Sequence, residues 1–583
     1  MFRRARLTGS GCLWLAIVAG VAAAALVYDP SATAAHPKRV AGLLVALVAV
    51  VAVLAARARD QRLFSGHTLS PALAAWLAFV AVSGVSILWG KPAGLDDAMG
   101  WVAAAGVALA AGALPPRVAR AAALSAGWWV GSVSAVAVLA QWMGGTRGIA
   151  LHGGHGNGNW LGLVLAVTLP LSAGLAKAAH DRRAPWWAAT VVGVGLQLPA
   201  LLLASSRVAW VACAVSIGVA TWLSFPAPTT WRRVAGAFVV VLFLSTTAWT
   251  ALRFESGNEG QDGANASTSI AGRTWIWNAS LEAAKTSLPL GTGLGGFAHA
   301  YLDVQGTALA GLPVTEASRR FQNATTAHQE WIQALVETGP VGLSLLALAL
   351  GSAMLDAIRR RDASMTGTWV ALIVCCFGDS PLRQPAIVLL MGLCFAAQRR
   401  RWWKRPTLAL GATFVASSVL LAVGVAAWLA CRWETAARDA LPGGQEAWLE
   451  RAVQLDDRSG QAALSLGLLW LETGDARGAL TMLGASRDRL ANVGTDVAMG
   501  NAWMQLGEPA KAERSYERAL HRHPGSFRAH ANQVEALRAQ GKLEEAEQHL
   551  AVARRLYPGH PKLAEMEEAL RRARRDREAG ASP

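Results

Sequence analysis

The chain has 583 residues, 53% hydrophobic and only 16% charged, with a mean hydropathy of +0.32, which excludes one ordinary soluble domain and points to a membrane protein. Its six cysteines show no paired CxxC spacing, so neither a disulfide scaffold nor a zinc ribbon is expected. The net charge of +16 comes from short basic clusters between apolar stretches, the pattern of topology signals rather than of nucleic-acid binding.

Apolar stretches near the length of about 20 residues that a hydrocarbon core requires recur up to about residue 430. They predict an all-α fold: a polytopic bundle of about 12–13 transmembrane helices, at 11–28, 39–56, 69–89, 96–114, 121–143, 159–178, 185–204, 207–225, 234–252, 340–358, 365–379, 383–398 and 406–430. The first is read as a retained helix rather than a cleaved signal peptide. Tryptophan pairs such as Trp128-Trp129, Trp186-Trp187 and Trp402-Trp403 read as interfacial anchors. With Arg3, Arg4 and Arg6 inside, Arg57/Arg59/Arg62, Arg117/Arg120, Lys177/Arg182/Arg183, Arg232/Arg233, Arg359–Arg361 and Arg399–Arg401 fall on the same side. The positive-inside rule then puts 253–339 and everything after 430 in the periplasm of a bacterial inner (cytoplasmic) membrane.

After Trp433 the composition turns to Ala, Glu, Arg and Leu with a repeat of 33–34 residues. Gly500, Trp503, Gly507, Ala512, Tyr516, Ala519 and Pro524 hold the small, aromatic, turn and stop positions of a tetratricopeptide unit. Gly541, Ala546, Leu550, Ala553 and Pro558 repeat the pattern, as do Gly467, Trp470, Gly474, Ala479 and Leu483, and helix 561–577 is its polar cap. The expected domains are therefore a transmembrane domain over 1–431, with a large periplasmic loop at 253–339, and a periplasmic repeat α-solenoid over 432–583. Such an array binds protein segments or packs against its own chain.

The 253–339 loop is too long for a connecting turn and is expected to be functional. Gly291, Gly293, Gly295 and Gly296 lack the βαβ setting a dinucleotide loop needs and read as a tight corner before a helix near Phe297. Ser205-Ser206-Arg207 sits at a membrane boundary, where an arginine either snorkels to headgroups or binds a substrate phosphate with its planar fork. His152 and His155 lie in a Gly-rich stretch read as a mobile entrance loop rather than a metal site. Asp96-Asp97 reads as an interface charge, and Glu330 as a solvated face residue.

These residues resemble the O-antigen ligase family of lipopolysaccharide ligases, polysaccharide polymerases and protein O-oligosaccharyltransferases, over roughly residues 70–400. The resemblance rests on Gly158-Asn159-Trp160-Leu161-Gly162 with Leu169-Pro170-Leu171, on Ser206-Arg207, on Gly272-Arg273 followed by Trp277, on Pro289-Leu290-Gly291-x-Gly293, and on His328 with Glu337-x-Gly339-x-x-Gly342-Leu343. Gln329 stands where asparagine commonly follows the histidine, and Val208 where glycine commonly follows the arginine. The resemblance implies transfer of a glycan from an undecaprenyl diphosphate carrier to an acceptor hydroxyl of a glycan, lipid A core or protein, without cofactor or metal. In that reading Arg207 and Arg273 stabilise the departing diphosphate, His328 takes the acceptor proton, and Arg319, Arg320 and Asn159 bind substrate. The competing readings are a lipid-glycan transporter whose arginines hold diphosphate in passage, and a membrane scaffold using its repeats alone.

Overall fold

The computed structural model describes residues 9–30, 35–59, 69–147, 150–224, 270–398, 407–441 and 443–580. Among them every regular element is helical. The chain divides into two compact units: Met1–Ser256 with Leu288–Leu294 and His328–Trp428, and Gly257–Ser287 with Gly295–Ala327 and Leu429–Pro583.

The first unit contains α1 (Gly9–Leu26), α2 (Ala35–Arg59), α3 (Pro71–Ser86), α4 (Gly94–Ala111), α5 (Pro116–Met143), α6 (Gly158–Asp181), α7 (Trp187–Leu203) and α8 (Arg207–Ser224). In the second, α9 (Ile270–Ser287), α10 (Phe297–Ala310) and α11 (Val314–Arg320) follow, and the chain returns to the first with α12 (Glu330–Arg359), α13 (Ala363–Gly378) and α14 (Pro385–Ala397). Six helices among the described residues are long and apolar enough to cross a membrane, and five shorter apolar ones accompany them. The protein is thus multi-pass. The expected span 234–252 lies outside the described residues.

Small residues let these helices meet at backbone distance, as they do where lipid supplies no hydrophobic drive for association. A Cβ on Gly392 of α14 would stand 2.5 Å from the Ala104 carbonyl of α4. All of α14 is buried, so its 13 residues are surrounded by other helices. Gln197 of α7, fully buried, donates to Ser172 of α6 at 2.9 Å and to Ser132 of α5 at 3.4 Å, so one amide ties three helices whose polar groups find no water. The span expected from 340 is the second part of α12, which starts at Glu330 and breaks at Gly339 (φ 65°, ψ −171°). Only glycine occupies that backbone region without strain.

α15 (Thr407–Asp439) leads to α16 (Gln445–Leu455) and then to three helix pairs: α17 (Gly460–Thr473) with α18 (Ala476–Arg489), α19 (Val493–Gln505) with α20 (Pro509–Arg522), and α21 (Phe527–Ala539) with α22 (Leu543–Leu556), closed by α23 (Lys562–Gly580). Gly474, Gly507 and Gly541 make the turn inside each pair in the left-handed region. In the middle pair Gly500 leaves room for Tyr516, whose ring carbon stands 2.2 Å from where a Cβ would be. The close packing of small against aromatic residue is what the repeat pattern requires.

Candidate functional site

The break in α12 organises one end of the bundle. Pro340 carries no N–H, so the Val336 carbonyl loses its helical donor. The Gly-rich segment replaces it: Thr292 N–H donates to Val336 O at 2.8 Å and Gly293 N–H to Glu337 O at 3.0 Å. The approach tolerates no side chain, since a Cβ on Gly291 would stand 2.6 Å from Glu337 O and one on Gly339 2.2 Å from Pro289 O. The same segment reaches the α3–α4 corner, where Leu294 N–H donates to Ser86 Oγ and Leu294 O accepts from Lys91 N–H. The Pro289–Gly293 and Glu337–Gly342 motifs are therefore two halves of one backbone knot, more than the corner before Phe297 that the sequence suggested.

His328 precedes the N-terminal part of α12. Its φ of 49° is a left-handed conformation uncommon outside glycine, and Gln329 caps the helix by accepting from Ile332 N–H at 2.7 Å. An amide at 329 thus performs the capping that asparagine would. Asp379, just past the end of α13, is 8% exposed and puts Oδ1 3.7 Å from His328 Nδ1; the same oxygen accepts from Ser380 N–H at 2.8 Å. A carboxylate beside an imidazole nitrogen orients the ring.

Ser205, also left-handed at φ 53°, turns the chain into α8, whose first hydrogen bond joins Trp210 N–H to Ser206 O. Arg207 is exposed at that helix start, where the positive end of the helix dipole and a planar guanidinium are the two features that suit an anion. Gly158 and Gly162 bring the start of α6, with Asn159, against this corner, because a Cβ on Gly158 would meet Ala204 O at 2.8 Å and one on Gly162 the Ser206 Cβ at 2.6 Å. Val208 packs on Gly378, whose Cβ would stand 2.6 Å from the valine methyl. The close approach that glycine at 208 would permit is supplied by glycine on the facing helix. Val208 and Gly378 are neighbours of Arg207 and Asp379, so the arginine corner, the carboxylate turn and His328 belong to one region.

Behind them lies a buried ionic cluster. Arg383, on the short turn Pro381–Arg383, donates to Glu337 Oε2 at 2.7 Å and pairs with Asp97. Arg39 reaches Asp97 at 3.2 Å and Asp96 at 3.4 Å, and His36 lies 3.2 Å from Asp96. Glu330, expected on a solvated face, is 2% exposed and accepts from Leu382 N–H at 3.1 Å. The reversal follows from the break in α12, which packs the first helical segment against the 379–384 turn. Asp97, expected as an interface charge, is likewise buried between two arginines. Asp379 and Arg383 are marked in the sequence only as charges in an apolar stretch, with no motif around them.

His155 is fully buried with Nε2 2.8 Å from Ser134 Oγ, and burial holds it well below its ordinary pKa. It is a packed core residue rather than part of a mobile entrance. Among the described residues no group of three or more His, Cys, Asp or Glu is arranged to hold a metal ion.

Arg273, Arg319 and Arg320 belong to the second unit. Arg273 is half-buried on α9. Arg320 pairs with Glu316 at 2.6 Å and its guanidinium lies 5.6 Å from the Trp275 ring centre, while Arg319 is exposed on the same short helix. Trp277 donates from Nε1 to Ala327 O at 3.0 Å, holding the residue that precedes His328.

The O-antigen ligase family model matches residues 192–347, and a tetratricopeptide-repeat model matches residues 497–561. The first match takes in Arg207, Arg273, His328, Glu337 and Gly339. No curated protein matches the chain. Among solved structures the chain is similar to the crystal structure of the yeast Tom70, at 11% identity, with 73% of this chain and 93% of that chain covered and a TM-score of 0.24, a superposition too loose to support any inference.

Proposed function

We propose, for a membrane protein that carries an O-antigen ligase domain followed by tetratricopeptide repeats, that it transfers a glycan from an undecaprenyl diphosphate carrier to an acceptor hydroxyl at the periplasmic face of a bacterial inner membrane. The match over residues 192–347 supports a glycan-transferring protein of the ligase and polymerase class; donor, acceptor and side are our reading. The observation that carries the reading is the meeting, through Val208 and Gly378, of an arginine at a helix start with a histidine backed by a carboxylate.

In this mechanism the acceptor oxygen attacks the anomeric carbon of the lipid-linked sugar. Its proton passes to the His328 imidazole, and Asp379 stabilises the imidazolium formed. The bond from the anomeric carbon to the diphosphate breaks, and the undecaprenyl diphosphate leaves with the electron pair. Arg207 and the start of α8 stabilise that charge. Arg273 enters as a second diphosphate cation, and Asn159, Arg319 and Arg320 as substrate contacts, on the motifs of the family. Because arginines supply the cations, turnover is expected to need no divalent metal. Arg117, Arg120, Arg182, Arg183 and Arg359–Arg361 sit at the helix ends away from His328, and the positive-inside rule supports a periplasmic site.

The experiment is transfer in detergent by the purified full chain from a lipid-diphosphate glycan to lipid A core, polysaccharide or protein acceptors, with and without excess chelator. Product with one acceptor, undiminished by chelation, is the expected result; no product with any acceptor defeats the reading, and rescue by magnesium or manganese defeats the arginine account. Alkaline phosphatase fused after Ala437 should be active, and inactivity there reverses the side.

A further inference from the structure

The repeats have no part in the mechanism above, yet the second unit gives them a task. α10 and α11, from the segment between the ninth and tenth expected spans, pack on the second helices of the last two repeat pairs. Two of the contacts are backbone on backbone. A Cβ on Gly306 of α10 would stand 2.2 Å from His521 O, at the end of α20, and one on Gly525 would stand 2.4 Å from Ser318 N, in α11. Each glycine comes from a different side of the contact, so both surfaces are shaped for the fit. Asp303 accepts from Arg522 Nε at 2.7 Å, and Arg522 also lies 3.6 Å from buried Asp496 of α19. The Phe321 ring stacks on His523, centroids 3.8 Å apart and planes 9° apart.

The docked segment is also rigid in itself. The Gln305 side chain, fully buried, accepts from Tyr301 OH and Gln322 N–H and donates to Gln322 O. Two hydrogen bonds to one residue's backbone pin the chain after α11 against α10. Trp277 then ties α9 to Ala327. α9, α10, α11 and the repeats therefore form one packed body, and the element bearing Arg273 is held through it.

We propose that the repeat array is an intramolecular clamp for this segment, holding α9–α11, and with them Arg273, in the arrangement that glycan transfer requires. The proposal rests on the transferase reading for its consequence and on the docking contacts for its mechanism. It assigns Asp303, Gly306, Arg522 and Gly525 as positioning residues, and it leaves only the faces of the repeats away from α20 and α22 for any separate protein partner.

The test uses full-length protein in detergent with Asp303→Lys, which opposes like charges at Arg522 on a half-exposed site, and Gly306→Leu, which wedges the backbone contact. Hydrogen–deuterium exchange of residues 297–321 and of α21–α22 is read beside transfer from the lipid-diphosphate glycan. Expected are faster exchange in 297–321, unchanged exchange in α21–α22, and transfer lowered by on the order of ten- to a hundredfold, as small misplacements of a reacting geometry do. Faster exchange with transfer within about twofold of wild type, well under the loss that misplacement produces, overturns the clamp. So does unchanged exchange in 297–321 with both variants. If wild type transfers nothing, the transferase reading falls, while the exchange data still decide whether the repeats hold the segment.

Discussion

The site end of the bundle and the repeat array use the same device, glycine at a close approach, in opposite ways. In the array Gly467 meets Leu483 and Gly500 meets Tyr516, partners 16 residues apart on neighbouring helices, and the contact recurs with the period of the sequence. In the bundle Gly291 meets Glu337 and Gly339 meets Pro289, once each and between segments separated by two helices, α10 and α11. Charges differ in the same way. The array carries many exposed pairs within single helices, such as Arg572 with Glu568, whereas the bundle concentrates Arg39, Asp97, Arg383 and Glu337 in one buried cluster. A periodic element spreads its stability over equivalent contacts; the aperiodic end of the bundle depends on a few that have no substitute.

The largest effect that could break this comparison is at Arg383. Arg383→Gln leaves Asp97 and Glu337 facing one another without their shared partner, and loss of one member of a buried ionic group costs about 3–5 kcal/mol. Arg572→Gln should leave the unfolding midpoint nearly unchanged, because its partner is a solvent-exposed carboxylate. Thermal unfolding of both variants in detergent checks this, and similar midpoints would mean the buried cluster has no special standing.

Next in size are the transfer variants. Arg207→Lys keeps the charge but loses the planar fork, and removal of such stabilisation costs on the order of a hundredfold in rate. His328→Ala should lower turnover similarly while leaving carrier binding intact, because its partner is the acceptor. Arg273→Lys is measured beside them. If all three are folded and transfer near-normally, these residues are structural and the chemistry lies elsewhere.

A smaller effect distinguishes the units by pH. Burial pushes His523 down from 6.5 to about 4, with His530 nearby adding to it, and burial pushes His530 to about 4, with His549 and Arg555 adding to it. The folded array therefore resists protons that the unfolded chain accepts, so its stability is complete above about pH 6.5 and declines as pH falls towards 4. Unfolding of the full chain followed through α21–α22 exchange should show this decline, and His523→Phe should flatten it. The smallest effect is Trp277→Phe, which removes one hydrogen bond to Ala327 O worth about 1 kcal/mol; it should loosen exchange at 324–327 and leave the bundle unchanged.

Much of the fold was legible in the sequence. Helices cover the expected spans that fall within the described residues, since a span must be apolar over its whole length and needs no partner to be recognised. The repeat helices begin at 460, 493 and 527, matching the 33–34-residue step, because each unit meets its neighbour in the same way. Arg207, Asn159 and His328 stand out in the sequence only as motif positions, and tertiary structure brings them to one region. What the sequence did not reveal was Asp379 beside His328, Arg383 holding Glu337 and Asp97, Glu330 turned inward, and the docking of α10 and α11 on the repeats. Each depends on elements far apart in the chain whose meeting is fixed by a single backbone event, the break at Gly339 or the bare surfaces at Gly306 and Gly525. Periodicity and span length record what a segment needs from its surroundings, whereas only the packed chain decides which distant segment supplies it.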